Sequence, residues 1–260
     1  MILSNGVDLF VEQRGAGLPA LIFLHYWGGS SRTWSKVIDG LAPDFRTIAI
    51  DQRGWGRSQA PASGYSLVEL AADVEEVVTQ LRLERYILVG HSMGAKVSQL
   101  LASRRPPGLV GLALVAPSPP SPMRLPLEVR EAMVRAYISR ESIIATVEQV
   151  LAPNGLDPID LEAVIADSLR GSLAAKEAWP MWVSQEDISV AVTNINVPTV
   201  VISGALDRVD PPEVLRAELL PRIPQASFYV LPEVGHLSPL EAADEVTRII
   251  SLFAFTLFDQ

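Results

Sequence analysis

Ser92 stands at the centre of GHSMG (residues 90–94), between an apolar run and a segment with a helical pattern. In a G-x-S-x-G turn, two glycines let a strand and a helix pass closely, and the serine hydroxyl is exposed at the tip, at the positive end of the helix. The pattern alone often occurs by chance, but its place after an apolar strand and before the predicted helix 93–103 makes it specific. Ser92 is therefore the candidate nucleophile.

A serine hydroxyl is a poor nucleophile at neutral pH and needs a base, for which the chain offers three histidines. His91 is adjacent to the serine, so its side chain is expected to point elsewhere. His25 ends a predicted strand before a glycine-rich loop and is interpreted as holding that loop. His236, in LPEVGHLSPLE, follows the last predicted strand and should lie level with the GHSMG turn. We predict that His236 is the base.

The base needs a carboxylate to orient it. The segment VVISGALDRVDPP (200–212) offers Asp207 and Asp210 after the penultimate predicted strand. Asp210 precedes Pro211 and is interpreted as a helix N-cap, a role that would occupy its oxygens. Asp207 is nearer the strand end and is favoured as the acid. Either choice keeps the chain order Ser…Asp…His of one hydrolase class.

Short apolar runs alternate with amphipathic stretches along most of the chain. The strand candidates are residues 7–13, 21–24, 47–50, 86–89, 109–115, 199–202 and 228–231. Several are continuously apolar, which is typical of strands covered by helices on both faces. Capping-box patterns at Ser66 and Ser238 predict helices running to about residues 81 and 255. The alternation predicts an α/β fold, with a mainly parallel sheet flanked by helices.

One region breaks the alternation, because no convincing strand lies between about residues 117 and 194. The segment PSPPSP (117–122) leaves the sheet. Helical patterns follow at 127–139, 142–151, 161–169 and 174–182. The simplest interpretation is a helical cap inserted over one edge of the sheet. We therefore predict a core domain of residues 1–117 and 195–260, with a cap of residues 118–194.

With these residues in place, the chain resembles the α/β-hydrolase fold superfamily over nearly its whole length. Ser92, Asp207 and His236 stand where that family keeps its nucleophile, acid and base. The segment DQRGWGRS (51–58) is similar to the family's D-x-R-G-x-G-x-S turn, a fold marker with a structural role. The predicted cap falls where the family inserts its lid. The resemblance implies an α/β-hydrolase fold of the serine-nucleophile, esterase-like branch.

In this family the oxyanion hole takes one backbone N–H from the residue after the nucleophile, which is Met93 here. The second comes from a loop that usually reads H-G-x-G, and this chain has HYWGG (25–29). Tyr26 replaces the first glycine, and Trp27 falls on the donor position. The resemblance therefore implies Met93 and Trp27 as donors. It also requires that tyrosine adopt the backbone conformation of that glycine.

The substrate is expected to bind between the GHSMG turn and the cap. Tyr26 and Trp27 are expected to line the floor, and AWPMW (178–182) brings Trp179 and Trp182 together in the cap. Such walls suit an apolar or aromatic acyl or alcohol group. Aromatic residues of a helical cap more often pack its own core, so that alternative stays open. Lys96, on the helix after the turn, is interpreted as a solvated helical residue.

Composition excludes several other classes of site. The 260 residues carry a formal net charge of −9, which disfavours nucleic-acid and anionic-membrane partners. The absence of cysteine excludes disulfides and thiolate sites, and three scattered histidines leave no metal-ligand cluster. No dinucleotide-binding fingerprint follows a strand. Without a signal-peptide pattern or an apolar run of about 18 residues, we expect a cytoplasmic protein that needs no metal or cofactor and acts on a small molecule.

The leading hypothesis is a serine hydrolase that cleaves a small, apolar or aromatic ester, thioester or lactone through an acyl-enzyme. Relatives with the same triad hydrolyse C–C bonds of ring-cleavage products or act as perhydrolases or hydroxynitrile lyases, and these alternatives stay open. The serine argues against the dehalogenase and epoxide-hydrolase branches, which use aspartate at that position. A different class of hypothesis is a ligand-binding receptor that retains the triad.

Overall fold

The computed structural model describes residues 1–257. Within that range the strands are β1 (Ile2–Ser4), β2 (Val7–Leu9), β3 (Val11–Arg14), β4 (Ala20–Leu24), β5 (Thr47–Ile50), β6 (Tyr86–His91), β7 (Leu109–Val115), β8 (Thr199–Gly204) and β9 (Ala226–Leu231). The helices are α1 (Ser35–Leu41), α2 (Leu67–Gln80), α3 (Met93–Ser103), α4 (Leu127–Arg135), α5 (Arg140–Thr146), α6 (Pro158–Arg170), α7 (Leu173–Met181), α8 (Ser189–Val192), α9 (Pro212–Glu218), α10 (Ser238–Glu241) and α11 (Ala243–Phe255).

A seven-stranded sheet forms the centre of the molecule, in the order β3-β5-β4-β6-β7-β8-β9. Strand β3 pairs antiparallel with β5, and every other neighbouring pair is parallel. Strands β1 and β2 form a separate antiparallel hairpin. The prediction of a mainly parallel sheet flanked by helices is confirmed. Because the carboxyl ends of parallel strands share one edge, the loops after β4, β6, β8 and β9 meet there.

Strand β4 shows how the two faces of the sheet are covered. Ile22 and Leu24 belong to one buried hydrophobic cluster, whereas Leu21 and Phe23 belong to a second cluster on the opposite face. Successive side chains of a strand point to opposite faces, so a continuously apolar strand needs a helix layer on each side. The apolar runs that predicted the strands are therefore the two-sided core of this sheet.

The two predicted capping boxes have different outcomes. Ser66 caps α2 as predicted: its hydroxyl accepts from the Glu69 N–H, and the Glu69 carboxylate accepts from the Ser66 N–H. The box predicted at Ser238 is wrong, because Ser238 lies inside the four-residue helix α10 and the last helix begins at Ala243. The Glu241 carboxylate instead accepts from the backbone N–H of Gly235, at a distance of 2.8 Å.

Helices α4 to α8 lie between β7 and β8 in the chain, where the sequence predicts a helical insertion. A π-helical turn, Val147–Leu151, continues α5. We call residues 118–194 the inserted segment, and its treatment as a separate cap stays a prediction. Across residues 1–257, no helix combines the length and the apolar character needed to cross a membrane.

Candidate active site

The GHSMG turn joins β6 directly to α3. Ser92 has φ 53° and ψ −112°, a backbone conformation that costs a non-glycine residue about 1–3 kcal/mol. A Cβ at Gly90 would lie 2.5 Å from the Gly94 carbonyl oxygen, and one at Gly94 would lie 2.6 Å from the Leu24 carbonyl oxygen. The two glycines therefore allow β4, β6 and α3 to pass at backbone distance, and the strained turn places Ser92 at the carboxyl edge of the sheet.

Ser92, His236 and Asp207 are joined by two hydrogen bonds. The Ser92 Oγ lies 2.9 Å from His236 Nε2, and His236 Nδ1 lies 2.8 Å from Asp207 Oδ2. A carboxylate only accepts, so Nδ1 carries the proton and Nε2 accepts from the serine hydroxyl. The three residues come from the loops after β6, β8 and β9, and all three are buried. The structure thus brings together the three residues predicted as nucleophile, acid and base.

Asp207 and Asp210 have different environments, which separates the two candidate acids. The second oxygen of Asp207 accepts from the backbone N–H groups of Val209 (2.8 Å) and Asp210 (3.1 Å). These bonds hold the carboxylate toward His236. The interpretation of Asp210 as a helix N-cap is wrong: α9 is capped by Pro211 and receives no side-chain bond. The chain makes one extra extended residue before the helix, so the Asp210 carboxyl does not reach the first-turn N–H groups.

The charges around His236 favour its protonated form. Burial of the imidazole acts against the charged form, but attraction to the Asp207 carboxylate and their hydrogen bond outweigh it, and the pKa of His236 is raised. Asp210 is also buried, and among residues 1–257 its Oδ2 has no hydrogen-bond partner. Burial raises the pKa of Asp210 to about 7. The site therefore holds two buried carboxyl groups of different character, of which Asp207 contacts the imidazole.

His91 contacts the backbone of His236, not Ser92. Its Nε2–H donates to the His236 carbonyl oxygen at 2.8 Å, and its ring packs against Tyr26 with centroids 5.1 Å apart. Burial, together with the nearby His236, lowers the pKa of His91 well below its usual value, so the ring is neutral at neutral pH. The sequence predicts that the His91 side chain points away from Ser92. No sequence pattern indicates that His91 bonds to the backbone of His236.

The loop after β4 fixes the peptide between Tyr26 and Trp27 by hydrogen bonds to the Tyr26 carbonyl. The carbonyl of Tyr26 accepts from His25 Nδ1–H (2.7 Å) and from the Gly29 N–H (3.1 Å). The peptide is planar and trans, so fixing this carbonyl directs the Trp27 N–H the opposite way. His25 Nε2 accepts from the Gln52 N–H at 3.0 Å, which fixes its tautomer. His25 therefore holds the loop, as the sequence predicts.

Tyr26 occupies the usual glycine position without a positive φ, which Gly28 adopts instead (φ 104°). Tyrosine is therefore compatible with the loop backbone. Within residues 1–257, no backbone hydrogen bond uses the N–H of Trp27 or of Met93. An oxyanion hole requires N–H donors that are not already bonded within the protein, and both groups meet that requirement among the backbone bonds of the described chain.

A cavity of about 370 Å³ opens over Ser92 and His236. Its walls are mostly apolar and come from the loop after β4 and from the inserted segment, including Tyr26, Trp27, Met123, Leu125, Val129, Met133, Tyr137, Val150, Leu151 and Trp179. Three of the four predicted substrate contacts thus line it. Trp182 does not, because α7 ends at Met181 and the chain turns away, leaving the Trp182 side chain about half exposed at 48%.

The interpretation of Lys96 as a solvated residue is wrong. Its side chain is fully buried, and its Nζ donates to the carbonyl oxygens of Ser121 (3.1 Å) and Ser184 (3.4 Å). Burial lowers the pKa of Lys96 to about 8. The inserted segment covers this face of α3. Without that segment, the face would be exposed to solvent. Lys96 thus connects α3 to both ends of that segment.

Sequence reasoning also missed Arg208 and Tyr137, which line the cavity. The Tyr137 hydroxyl donates to the Trp27 carbonyl at 3.1 Å, and its ring packs 4.3 Å from the Trp27 ring. No sequence signal marks such long-range contacts. Residues 1–257 contain no group of three or more His, Cys, Asp or Glu side chains placed to hold a metal ion.

Comparison with known proteins assigns the class. A family model described as the alpha/beta hydrolase fold matches residues 19–138. The chain has the α/β-hydrolase fold, as the resemblance drawn from its motifs implies.

Individual relatives cover nearly the whole chain. A protein from Synechocystis sp. named "Putative non-heme chloroperoxidase" is 28% identical and covers 96% of each chain. A pimeloyl-[acyl-carrier protein] methyl ester esterase from Pectobacterium atrosepticum is 26% identical over 95% of this chain and 98% of its own. The structure of a thermophilic esterase from Thermogutta terrifontis is 26% identical, with a TM-score of 0.85 over 99% of this chain and 98% of that one. The prediction of a hydrolase is confirmed at the level of class.

Proposed function

We propose that this protein is a serine hydrolase that cleaves a small carboxylic ester, thioester or lactone through an acyl-enzyme. The observation that carries the proposal is the continuous hydrogen-bonded path from Ser92 Oγ to Asp207 Oδ2 through the two nitrogens of His236. The path starts at a strained serine on the floor of a cavity. The esterase names of full-length relatives agree with this chemistry.

In the first half-reaction, Ser92 Oγ attacks the carbonyl carbon while His236 Nε2 takes its proton. Asp207 stabilises the imidazolium that forms. The tetrahedral intermediate then expels the alcohol, which receives that proton from His236. In the second half-reaction His236 activates water, which releases the acid and restores Ser92.

The oxyanion of the tetrahedral intermediate is assigned to the N–H groups of Met93 and Trp27. Both lack a backbone acceptor in the described chain, and Met93 begins helix α3, whose dipole adds positive potential. Loss of one such donor costs about 3–4 kcal/mol of transition-state stabilisation in a comparable site. The bonds that fix the Tyr26 carbonyl are therefore part of the proposed machinery.

The cavity supports a preference for apolar or aromatic substrates. Its volume of about 370 Å³ lies at the low end of the range for small-molecule pockets, about 300–1,000 Å³. Trp27, Tyr137 and Trp179 give it aromatic walls. We place the protein in the cytoplasm, acting on a small-molecule substrate.

The test is hydrolysis of a panel of 4-nitrophenyl esters of increasing acyl length. We expect turnover by the wild-type protein and none above background by Ser92→Ala. Ser103→Ala is the matched control, because Ser103 is a buried serine at the far end of the same helix and outside the cavity. Tight ligand binding without turnover across the panel would point to a receptor. Turnover confined to C–C cleavage substrates, or to acid plus hydrogen peroxide, would point to the other triad chemistries.

A further inference from the structure

Arg208 is the charged residue in an otherwise apolar cavity wall. The described residues that line the cavity include no Asp, Glu or Lys. His236 also lines it, but it belongs to the proposed triad. Arg208 directly follows Asp207 and is exposed at the edge of the cavity. The proposed mechanism gives this guanidinium no role.

The Arg208 side chain is held in place but its charge is unpaired. Its Nη1 donates to the Gln149 carbonyl oxygen at 2.6 Å. No carboxylate of residues 1–257 forms an ion pair with it. A guanidinium has five N–H donors, so most of them are left for a ligand.

The turn that holds Arg208 also holds the base. Gln149 lies in the π-helical turn Val147–Leu151, and the Leu151 carbonyl accepts from the His236 N–H at 2.7 Å. Arg208 is also adjacent in sequence to Asp207, the partner of His236. The guanidinium is therefore fixed on the side of the cavity that holds the imidazole.

That side receives the leaving group. In an acyl transfer by Ser92, the C–O bond to the alcohol breaks and the alcohol oxygen takes the proton held on His236 Nε2, so the alcohol must lie beside the imidazole. We propose that Arg208 forms a subsite for an anionic group on the leaving alcohol, so that the preferred substrates are esters of an alcohol or phenol bearing a carboxylate or phosphate. This proposal rests on the proposed function and deepens it.

The free N–H groups of Arg208 suit an anionic partner. An Arg that pairs with a carboxylate or phosphate in two parallel hydrogen bonds gains geometric specificity as well as energy. The contact to Gln149 already restricts the side chain, which lowers the entropy lost on binding. Among the described residues, the surrounding wall is apolar and offers the guanidinium no anionic partner. A neutral group on the substrate would therefore leave its charge unpaired.

The experiment compares two esters of equal size, 3-acetoxybenzoate and 3-acetoxybenzamide. We expect the wild-type kcat/KM to favour the benzoate by about tenfold, as a charge-assisted hydrogen bond warrants. Arg208→Gln should reduce this ratio to about one by slowing the benzoate, while benzamide turnover stays within about twofold. Arg208→Lys should keep part of the preference. Rising salt should lower the wild-type ratio and leave that of Arg208→Gln unchanged.

A third ester, 3-acetoxyphenyl phosphate, separates the two anions. A wild-type kcat/KM for the phosphate above that for the benzoate identifies phosphate as the preferred group, and a lower value identifies carboxylate.

The matched control is Arg248→Gln, because Arg248 is an exposed arginine on α11, away from the cavity. It should retain the wild-type ratio. Equal ratios for wild type and Arg208→Gln overturn the anion subsite but leave the proposed function intact, provided that both esters are hydrolysed in a Ser92-dependent way. If neither ester is hydrolysed and Ser92 reacts with no acylating reagent, both the subsite and the proposed function are overturned.

Discussion

Replacing Asp210 by asparagine should stabilise the protein, and more so at high pH. Asp210 is buried, its Oδ2 has no hydrogen-bond partner among the described residues, and burial raises its pKa from 3.8 to about 7. Between those values the unfolded chain releases the proton and the folded chain keeps it, so folding stability falls as pH rises and levels off above pH 7. The slope is about 1.4 kcal/mol per pH unit, which gives a total cost of about 4 kcal/mol above pH 7. Repulsion by the Asp207 carboxylate adds to the raised pKa of Asp210, whereas attraction to His236 and Lys96 acts against it.

The measurement is urea unfolding of wild type and Asp210→Asn at pH 5.5 and pH 8. Asparagine does not titrate, so its advantage over aspartate should grow by about 2 kcal/mol between these two conditions. Asp8→Asn, at an exposed strand position, is the matched control and should show no such growth. An advantage of equal size at both pH values would refute the reasoning. Esterase kcat should stay within about threefold for Asp210→Asn. In a further variant, Asp207→Asn, it should fall by about 10⁴, because only Asp207 orients the base.

The remaining predictions concern the base, the turn and the inserted segment. Because the pKa of His236 is raised, kcat/KM for a neutral ester should increase with pH along a limb whose midpoint lies above 6.5, and a midpoint below that value contradicts the electrostatics. Gly94→Ala would place a Cβ 2.6 Å from the Leu24 carbonyl oxygen, so urea unfolding should show a loss of about 1–3 kcal/mol, and a loss below about 0.5 kcal/mol argues against this close approach. Lys96→Met removes two hydrogen bonds to the inserted segment, so limited proteolysis within residues 117–123 should be faster, and an unchanged rate contradicts the anchoring role.

The fold and the proximity of Ser92, Asp207 and His236 could be predicted because each depends on local sequence and on one rule of topology. Continuously apolar strands indicated a covered parallel sheet, and parallel strands place the loops that follow them at one edge. Ser92, Asp207 and His236 each follow such a strand. Their proximity therefore follows from the order of elements, without knowledge of any side-chain contact.

The errors fall where the environment is made by residues distant in the chain. Lys96 is buried because the inserted segment packs on α3, which helical periodicity cannot reveal. Trp182 misses the cavity because α7 ends one residue before it. The Asp-Pro sequence at Asp210 indicates a helix N-cap, whereas its unpaired buried Oδ2 results from tertiary packing. The Arg208 guanidinium is held by the carbonyl of Gln149, which is 59 residues away in the chain, so its placement could not be predicted from local sequence.

The central claim is that Ser92 is a nucleophile activated by His236. The most direct measurement is mass spectrometry of the protein after reaction with a 4-nitrophenyl alkylphosphonate, with the nitrophenol released counted per chain. We predict one adduct per chain, located on the peptide that contains Ser92, and a strongly slowed reaction in His236→Ala. An adduct on another residue, or no reaction at a phosphonate concentration that labels a serine esterase, would contradict the account.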